Sequence, residues 1–436
     1  MAIRNLDALS NVTCARVYPT RSPWRSFKWL LGSVLLTTAC GSTETKGFDA
    51  SVRCATSPCV TRISLGYDHG CAVLSDQTVA CWGNNDVGQL GIEPDGSSLA
   101  VWQPTLVAGL TKVVEIGAGA QFSCALTESH EAYCWGSNEA GMLGLGTAAD
   151  ADVHARPQLV PAFGSVSELS VGARFVLART DDGSVYGWGD GVDGELANKS
   201  VIGGYLSTPT RIVGIDKVSA LAAGERVACA IAGQSQALCW GRTGDPITAT
   251  GEPGTALMSV DGVVRVVPTN VPNLGAAHGV AAGARAAVAV ADNGSVYGWG
   301  VSRAGLLEFP QGNPGSWFSA RPIGTASYEF SGKVVELTLG DNHGCALDDS
   351  GLVQCWGDNE FGQAGLGTIT SEWPQPIQTV PVLTDIVQID AGGNATCAVR
   401  RDGVVYCWGA NPYGQLGQDN GGDIKAVQAS PGLVLW

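Results

Sequence analysis

Seven Trp-Gly dipeptides in one chain predict an all-β fold, a seven-bladed β-propeller of antiparallel four-stranded blades. They begin at Trp82, Trp135, Trp188, Trp240, Trp299, Trp356 and Trp408, with spacings of 53, 53, 52, 59, 57 and 52 residues. Each sits in the same frame of three or four short apolar runs separated by Gly, Asn or Asp, the pattern of a small antiparallel sheet. Composition agrees: 60 of 436 residues are Gly and only 15% are charged, against averages of about 7% and about 25%. Such a chain has many tight turns and few charged surface helices. One small sheet cannot bury both of its faces, whereas a ring of seven buries them against one another.

The chain opens with an address. Arg25 and Lys28 precede the apolar run Trp29–Leu36, which small residues and Cys40 follow. A run this short cannot span a bilayer, which takes about 20 residues, and the layout is that of a secretory signal. It resembles a bacterial lipoprotein signal, which would make residues 1–40 a leader and Cys40 the lipidated first residue of the mature protein. Thr37 stands where such signals usually carry Leu. Residues 41–60 read as a polar tether, and residues 61–436 as the seven-repeat propeller.

The first frame starts abruptly at Ile63, with no Pro-containing run ahead of it. Later copies have such runs, for example Pro104–Val107, Pro157–Val160 and Pro209–Val213. The chain ends on Ser430-Pro-Gly-Leu-Val-Leu-Trp436, a strand left over. The expectation is that this C-terminal strand completes the first blade and closes the ring. Copies four and five depart from the frame after Trp240 and Trp299 and have the longest spacings, so their loops should be elaborated.

Ten of the 14 cysteines form pairs ten residues apart: Cys71 with Cys81, Cys124 with Cys134, Cys229 with Cys239, Cys345 with Cys355, and Cys397 with Cys407. In copies three and five both positions change together, to Leu177 with Gly187 and Val288 with Gly298. Random placement would keep every pair intact in roughly 2% of arrangements. For Cys345 and Cys355 the midpoint, Ser350, falls inside Asp348-Asp-Ser-Gly351, which sets the two Cys opposite each other on adjacent strands, within disulfide reach. Cys54 and Cys59 would form a sixth bridge. Such bridges suit an exported protein.

No metal, cofactor or catalytic constellation emerges. His69 and His343 occupy a position that elsewhere holds Phe122, Phe175, Val227, Ala286 and Ala395, so they are read as interior packing residues. The Asn84-Asn-Asp86 and Asp358-Asn-Glu360 loops lack the spacing of a calcium loop and read as turns. Trp102, Trp317, Phe318 and Trp373 lie in segments outside the Trp-Gly frame and are the candidate partner contacts. The segments proposed for contact are 251–261 and 310–321. Five basic groups and one acid lie in residues 1–39, so the remainder carries 20 basic against 39 acidic residues, a charge of −19. That charge disfavours nucleic acid and anionic membrane surfaces.

The runs Gly83-Asn-Asn-Asp-Val-Gly-Gln-Leu-Gly91, Gly136-Ser-Asn-Glu-Ala-Gly-Met-Leu-Gly144 and Gly409-Ala-Asn-Pro-Tyr-Gly-Gln-Leu-Gly417 resemble the regulator-of-chromosome-condensation repeat. The resemblance covers about residues 61–436 and implies the seven-bladed fold. It also implies nucleotide exchange on a small GTPase, with which the leader, the cysteine pairs and the acidic charge conflict. The expected function is a non-enzymatic, exported binding module at the cell envelope, held to the membrane only by its lipid and engaging a protein or a cell-surface polymer. Two alternatives stand beside it: an extracellular polysaccharide lyase or hydrolase working in the central funnel, and an inhibitor of an extracellular enzyme, as some secreted relatives are. Acids and His converging at the funnel mouth would favour the enzyme.

Overall fold

The computed structural model describes residues 48–94, 100–242, 256–259, 262–301, 305–307, 316–323, 329–418 and 426–436. Cys40 and the leader lie outside the described residues. The chain forms seven antiparallel sheets, at 60–106, 113–159, 166–211, 218–270, 277–322, 334–379 and 386–433. The first blade is typical, with β1 (Val60–Leu65), β2 (His69–Leu74), β3 (Val79–Asn84) and β4 (Ala100–Leu106) paired in chain order. β1 and its six equivalents line a central channel. The fourth blade gains a fifth strand, Ala256–Ser259, paired to the outer strand Gly262–Asn270. This is the elaboration expected in copy four, and that blade departs from the four-stranded pattern.

Ring closure differs from the expectation. The last strand, Val427–Leu433, pairs with Val405–Ala410 of the seventh blade, and the first blade is built entirely from residues 60–106. Each Pro-containing run follows the hairpin it pairs with, so every blade is contiguous and none waits for a strand from the other terminus. The seventh and first blades meet instead through side chains. Gln388 accepts the Ile63 N–H at 3.1 Å and donates to the Ile63 carbonyl at 3.0 Å, and Asp390 accepts the Leu65 N–H at 2.7 Å. Trp436 packs edge-on against Trp82, with ring centroids 5.8 Å apart. From Phe48 onward the stretch expected as a tether is docked: the Arg53 N–H donates to the Arg401 carbonyl at 2.6 Å, and Phe48 and Val52 pack on the apolar cluster of the two blades.

The Trp-Gly frame holds neighbouring blades together. All seven tryptophans are fully buried. Six donate their indole N–H to a backbone carbonyl in the loop of the preceding blade. Trp135 to Gln89 (3.0 Å), Trp188 to Met142 (3.0 Å), Trp408 to Gln363 (2.9 Å) and Trp82 to Gln415 (2.9 Å) illustrate the set. The acceptor is always the residue before Leu or Ala in the Gly-Gln-Leu-Gly run or its equivalent. The Asn of that run braces the loop, with Asn85 Oδ1 accepting the Leu90 N–H at 3.1 Å and Asn411 Oδ1 accepting the Leu416 N–H at 3.0 Å. Trp299 follows the copy that lost the run, and its indole N–H has no partner among the described residues.

Six cysteine pairs stand at bonding distance. In the hairpins, Cys71 faces Cys81, Cys124 faces Cys134, Cys229 faces Cys239, Cys345 faces Cys355 and Cys397 faces Cys407. Each of these five pairs occupies directly opposed positions with Cα atoms 4.1 Å apart. Cys54 and Cys59 lie 5.8 Å apart ahead of β1. The junction between the fourth and fifth blades is rich in small residues, Ala222, Ala237, Ala277, Ala287 and Ala289. The junction between the second and third is filled by Phe122, Leu126, Met142, Leu143 and Val176.

Candidate functional site

The inner strands create two belts of side chains that accept edge N–H groups from the next blade. In the first belt, Glu115 accepts from Leu169 at 3.1 Å, Glu168 from Leu221 at 3.0 Å and Glu336 from Ile389 at 3.2 Å, with Gln388 completing it on Ile63. In the second, Ser64 accepts from Ala118, Ser170 from Ala223, and Thr338 from Ala391 at 2.9 Å. A buried N–H without a partner is costly, and these side chains satisfy it. The acids inside the funnel are therefore structural. Burial holds Glu115 up to about 7, Glu336 to about 8 and Asp390 to about 6.

The channel ends at a girdle of glycines that terminate the inner strands. A Cβ on Gly66 would lie 2.0 Å from the Gly119 carbonyl oxygen, and one on Gly224 would lie 2.1 Å from that of Gly283. Backbone N–H groups bridge the blades here, including Ala173 to Gly224 (3.0 Å) and Glu225 to Gly283 (3.1 Å). The space at this constriction is about 70 Å³.

Beyond the girdle, the next residue in six of the seven copies lines the constriction. Four copies carry Ala120, Ala173, Ala284 and Gly393, and three carry Tyr67, Glu225 and Asp341. Tyr67 donates its hydroxyl to Glu225 Oε2 at 3.3 Å and also bonds Asp341, joining the first, fourth and sixth blades. Burial, then the charges of Asp341 and Glu225, push the Tyr67 hydroxyl far above its ordinary value, so it stays a proton donor. Burial, with Glu225 and Asp68 nearby, raises Asp341 to about 6. Glu225 is held from its other side by Arg226 at 3.0 Å. A cavity of about 210 Å³ opens beside the cluster, lined by Glu225, Arg285, Val301, Asp341 and Asn342. Comparison of the repeats was able to find this trio, because a polar residue replaces Ala or Gly at one frame position in three copies.

The residues singled out from sequence fall elsewhere. Trp102 is half-buried on β4, and its ring covers Gly414 of the seventh blade, where an added Cβ would meet it at 2.8 Å. It fills a blade junction. The side chains of Trp317, Phe318 and Trp373 lie outside the described residues, as do most of segments 251–261 and 310–321. His69 and His343 are fully buried, and each Nε2 meets a hydroxyl of the next blade, Ser123 at 2.9 Å and Thr396 at 2.8 Å. Those hydroxyls donate to the Gln89 and Gln363 carbonyls, the same acceptors that bind the tryptophans. Among the described residues no group of three or more His, Cys, Asp or Glu is arranged to hold a metal ion.

The buried groups set a pH dependence. Glu115, Glu195 (about 8), Glu336 and Asp390 keep protons in the folded state that the unfolded chain releases above its ordinary carboxyl range. Their effect is to lower stability as pH rises from about 4.5 to about 8. Burial depresses His69 to about 4 and His343 to about 3, so the unfolded chain alone takes up those protons below about 6.5 and stability falls on acidification. These carboxyls, together with Asp341, outweigh two imidazoles. The expected result is a higher calorimetric unfolding temperature at pH 6 than at pH 8.5, and a lower one at pH 6 would overturn this assignment.

A seven-bladed propeller whose blades are locked by Trp-to-loop bonds and whose axis is narrowed by a glycine girdle belongs to the class of repeat-built β-propellers. The chain belongs to the regulator of chromosome condensation (RCC1) repeat family. Its two repeat models match residues 60–89, 113–141, 166–195, 334–363 and 386–415, and residues 78–126, 129–179, 182–231, 350–399 and 402–434. The chain is 29% identical over 367 residues to the ultraviolet-B receptor UVR8 of Arabidopsis thaliana, covering 81% of this chain and 78% of that one. It is 27% identical to the regulator of chromosome condensation of Xenopus laevis, covering 81% and 84%. The crystal structure of Prp20p from Saccharomyces cerevisiae, described with its binding properties to Gsp1p and histones, shares the fold with a TM-score of 0.64 and 21% identity, over 77% and 80% of the two chains.

Proposed function

We propose that this chain is a non-enzymatic binding module, exported and anchored through a lipid on Cys40, that engages a protein partner with its girdle face. The observation that carries the reading is the convergence of Tyr67, Glu225 and Asp341 at the axis of that face. Two carboxylates oriented by one tyrosine suit a Lys or Arg side chain offered by a partner. The acidic balance of the chain would steer a basic surface toward it. Binding of proteins by Prp20p, a fold relative, is consistent with a protein partner.

Catalysis in the funnel is the weaker reading, although two acids do converge at the mouth. Tyr67 is no base, Glu225 is tied to Arg226, and the adjoining cavity of about 210 Å³ is below the roughly 300–1,000 Å³ of ordinary ligand sites. The test is quantitative crosslinking of the partner in the native envelope with a Tyr67→Phe variant and a double variant, Glu225→Gln with Asp341→Asn. The double carboxyl variant should lose at least about tenfold in capture. Equal capture by all variants would reject the girdle face. Processing is read separately: intact mass should show a lipidated Cys40, and a protein that keeps residues 1–39 would reject export.

A further inference from the structure

The opposite mouth of the funnel has a distinct chemistry. A cavity of about 440 Å³ lies between the docked arm and the inner strands, lined by Phe48, Val52, Thr61, Arg62, Glu336 and Gln388. Its size falls in the range of small-molecule sites, roughly 300–1,000 Å³. Glu336 and Gln388 also line the inner channel, whose space is about 260 Å³ and which the glycine girdle narrows at its far end.

Arg62 sits at the first-belt position, where Glu115, Glu168, Glu336 and Gln388 accept a backbone N–H of the next blade. A guanidinium has no acceptor and cannot make that bond. It is exposed in the mouth instead. Glu115 and Glu336 act on it through charge, yet each is already engaged by a backbone N–H. Burial raises Glu336 to about 8, which weakens its charge opposite Arg62 at neutral pH. One wall of the cavity is thus a positive fork, and another, Phe48 with Val52, is apolar.

We infer that this mouth binds a small organic monocarboxylate, with the carboxylate paired to Arg62 and its apolar body against Phe48 and Val52. A single guanidinium matches one carboxylate in a two-pronged hydrogen-bonded pair. A dianion's second charge would meet no further cation among the residues lining the cavity. An apolar body of a few carbons gains by leaving water against the arm. The site lies at the far end of the funnel from Tyr67, and its fate is independent of the girdle-face reading.

The test is isothermal titration of the mature chain at pH 7 with octanoate and 4-phenylbutanoate, and with octanol and octylamine as uncharged and cationic counterparts. Saturable one-to-one binding of a carboxylate is expected, at least about tenfold tighter than octanol. Arg62→Gln should weaken it by at least about tenfold while Arg62→Lys keeps part of it, with the unfolding temperature of both variants unchanged. Neither carboxylate saturating by about 10 mM, octanol or octylamine binding as tightly, or undiminished binding in Arg62→Gln would each overturn the inference.

Discussion

Replacing Gly224 by valine is expected to leave no folded propeller. The smallest added atom, a Cβ, would lie 2.1 Å from the Gly283 carbonyl oxygen, 3.1 Å from its carbon and 3.2 Å from the Ala282 carbonyl carbon. These are backbone atoms of the next blade and cannot rotate aside. Relief requires the two inner strands to part, and the Glu225 N–H to Gly283 bond at 3.1 Å parts with them. Overpacking of a close-packed site ordinarily costs about 1–3 kcal/mol. Here a bonded backbone junction must open as well, and the cost should exceed about 4 kcal/mol. Gly275→Ala is the control, because nothing lies within 4 Å of its Cβ position, and it should change stability by less than about 0.5 kcal/mol. Near-ultraviolet circular dichroism and size-exclusion chromatography read both. A cooperatively folded Gly224→Val protein of native size would show that the girdle does not close the ring.

Reduction of the bridges should have the second largest effect. Five of them join opposed strands inside single blades, each closing a ten-residue separation. A loop of that length stabilises by about 2–3 kcal/mol in the chain-entropy account, and less where the hairpin persists when unfolded. Even half of that sum over five blades rivals the whole stability of an ordinary domain, about 5–15 kcal/mol. Calorimetry under strong reductant should show the transition lowered by more than about ten degrees. The third and fifth blades, which carry Leu177 with Gly187 and Val288 with Gly298 in place of Cys, have no bridge to lose. Intact mass should rise by two hydrogens per bridge, twelve for the six pairs. An unchanged mass, or an unchanged transition after the full mass change, would reject their contribution.

Much of the fold was legible because the repeats can be compared with one another. The paired change of Cys in two copies predicted which strands face each other, and the structure sets Cys71 4.1 Å from Cys81, and Cys229 the same distance from Cys239. The substitution of His69 and His343 by Phe, Val or Ala elsewhere marked a packing site, and both are fully buried. The closing strand pairs in the seventh blade rather than the first for a definite reason. A tandem repeat has no intrinsic starting point, so the Pro-containing run can be assigned to the unit before it or after it. Only the pairing of Val427–Leu433 with the strand before it selects the first.

The candidate site was less legible. Trp102 looked like an exposed aromatic because it stands outside the frame, yet Gly414, more than 300 residues later in the chain, supplies the surface it covers. Tyr67, Glu225 and Asp341 are each unremarkable in their own copy and matter only when the first, fourth and sixth blades share an axis.

By itself the sequence determined the number of blades, the hairpin pairs, the buried tryptophans and the copies that diverge. These are set by local periodicity and by contacts inside one repeat. The tertiary structure alone decided the phase of the blades, the glycine girdle, the belts of side chains that accept N–H groups from the next blade and the chemistry of the two mouths. Each of those depends on which atoms of the next blade, about fifty residues away, come within hydrogen-bond or van der Waals distance, and closure of the ring is what brings them there.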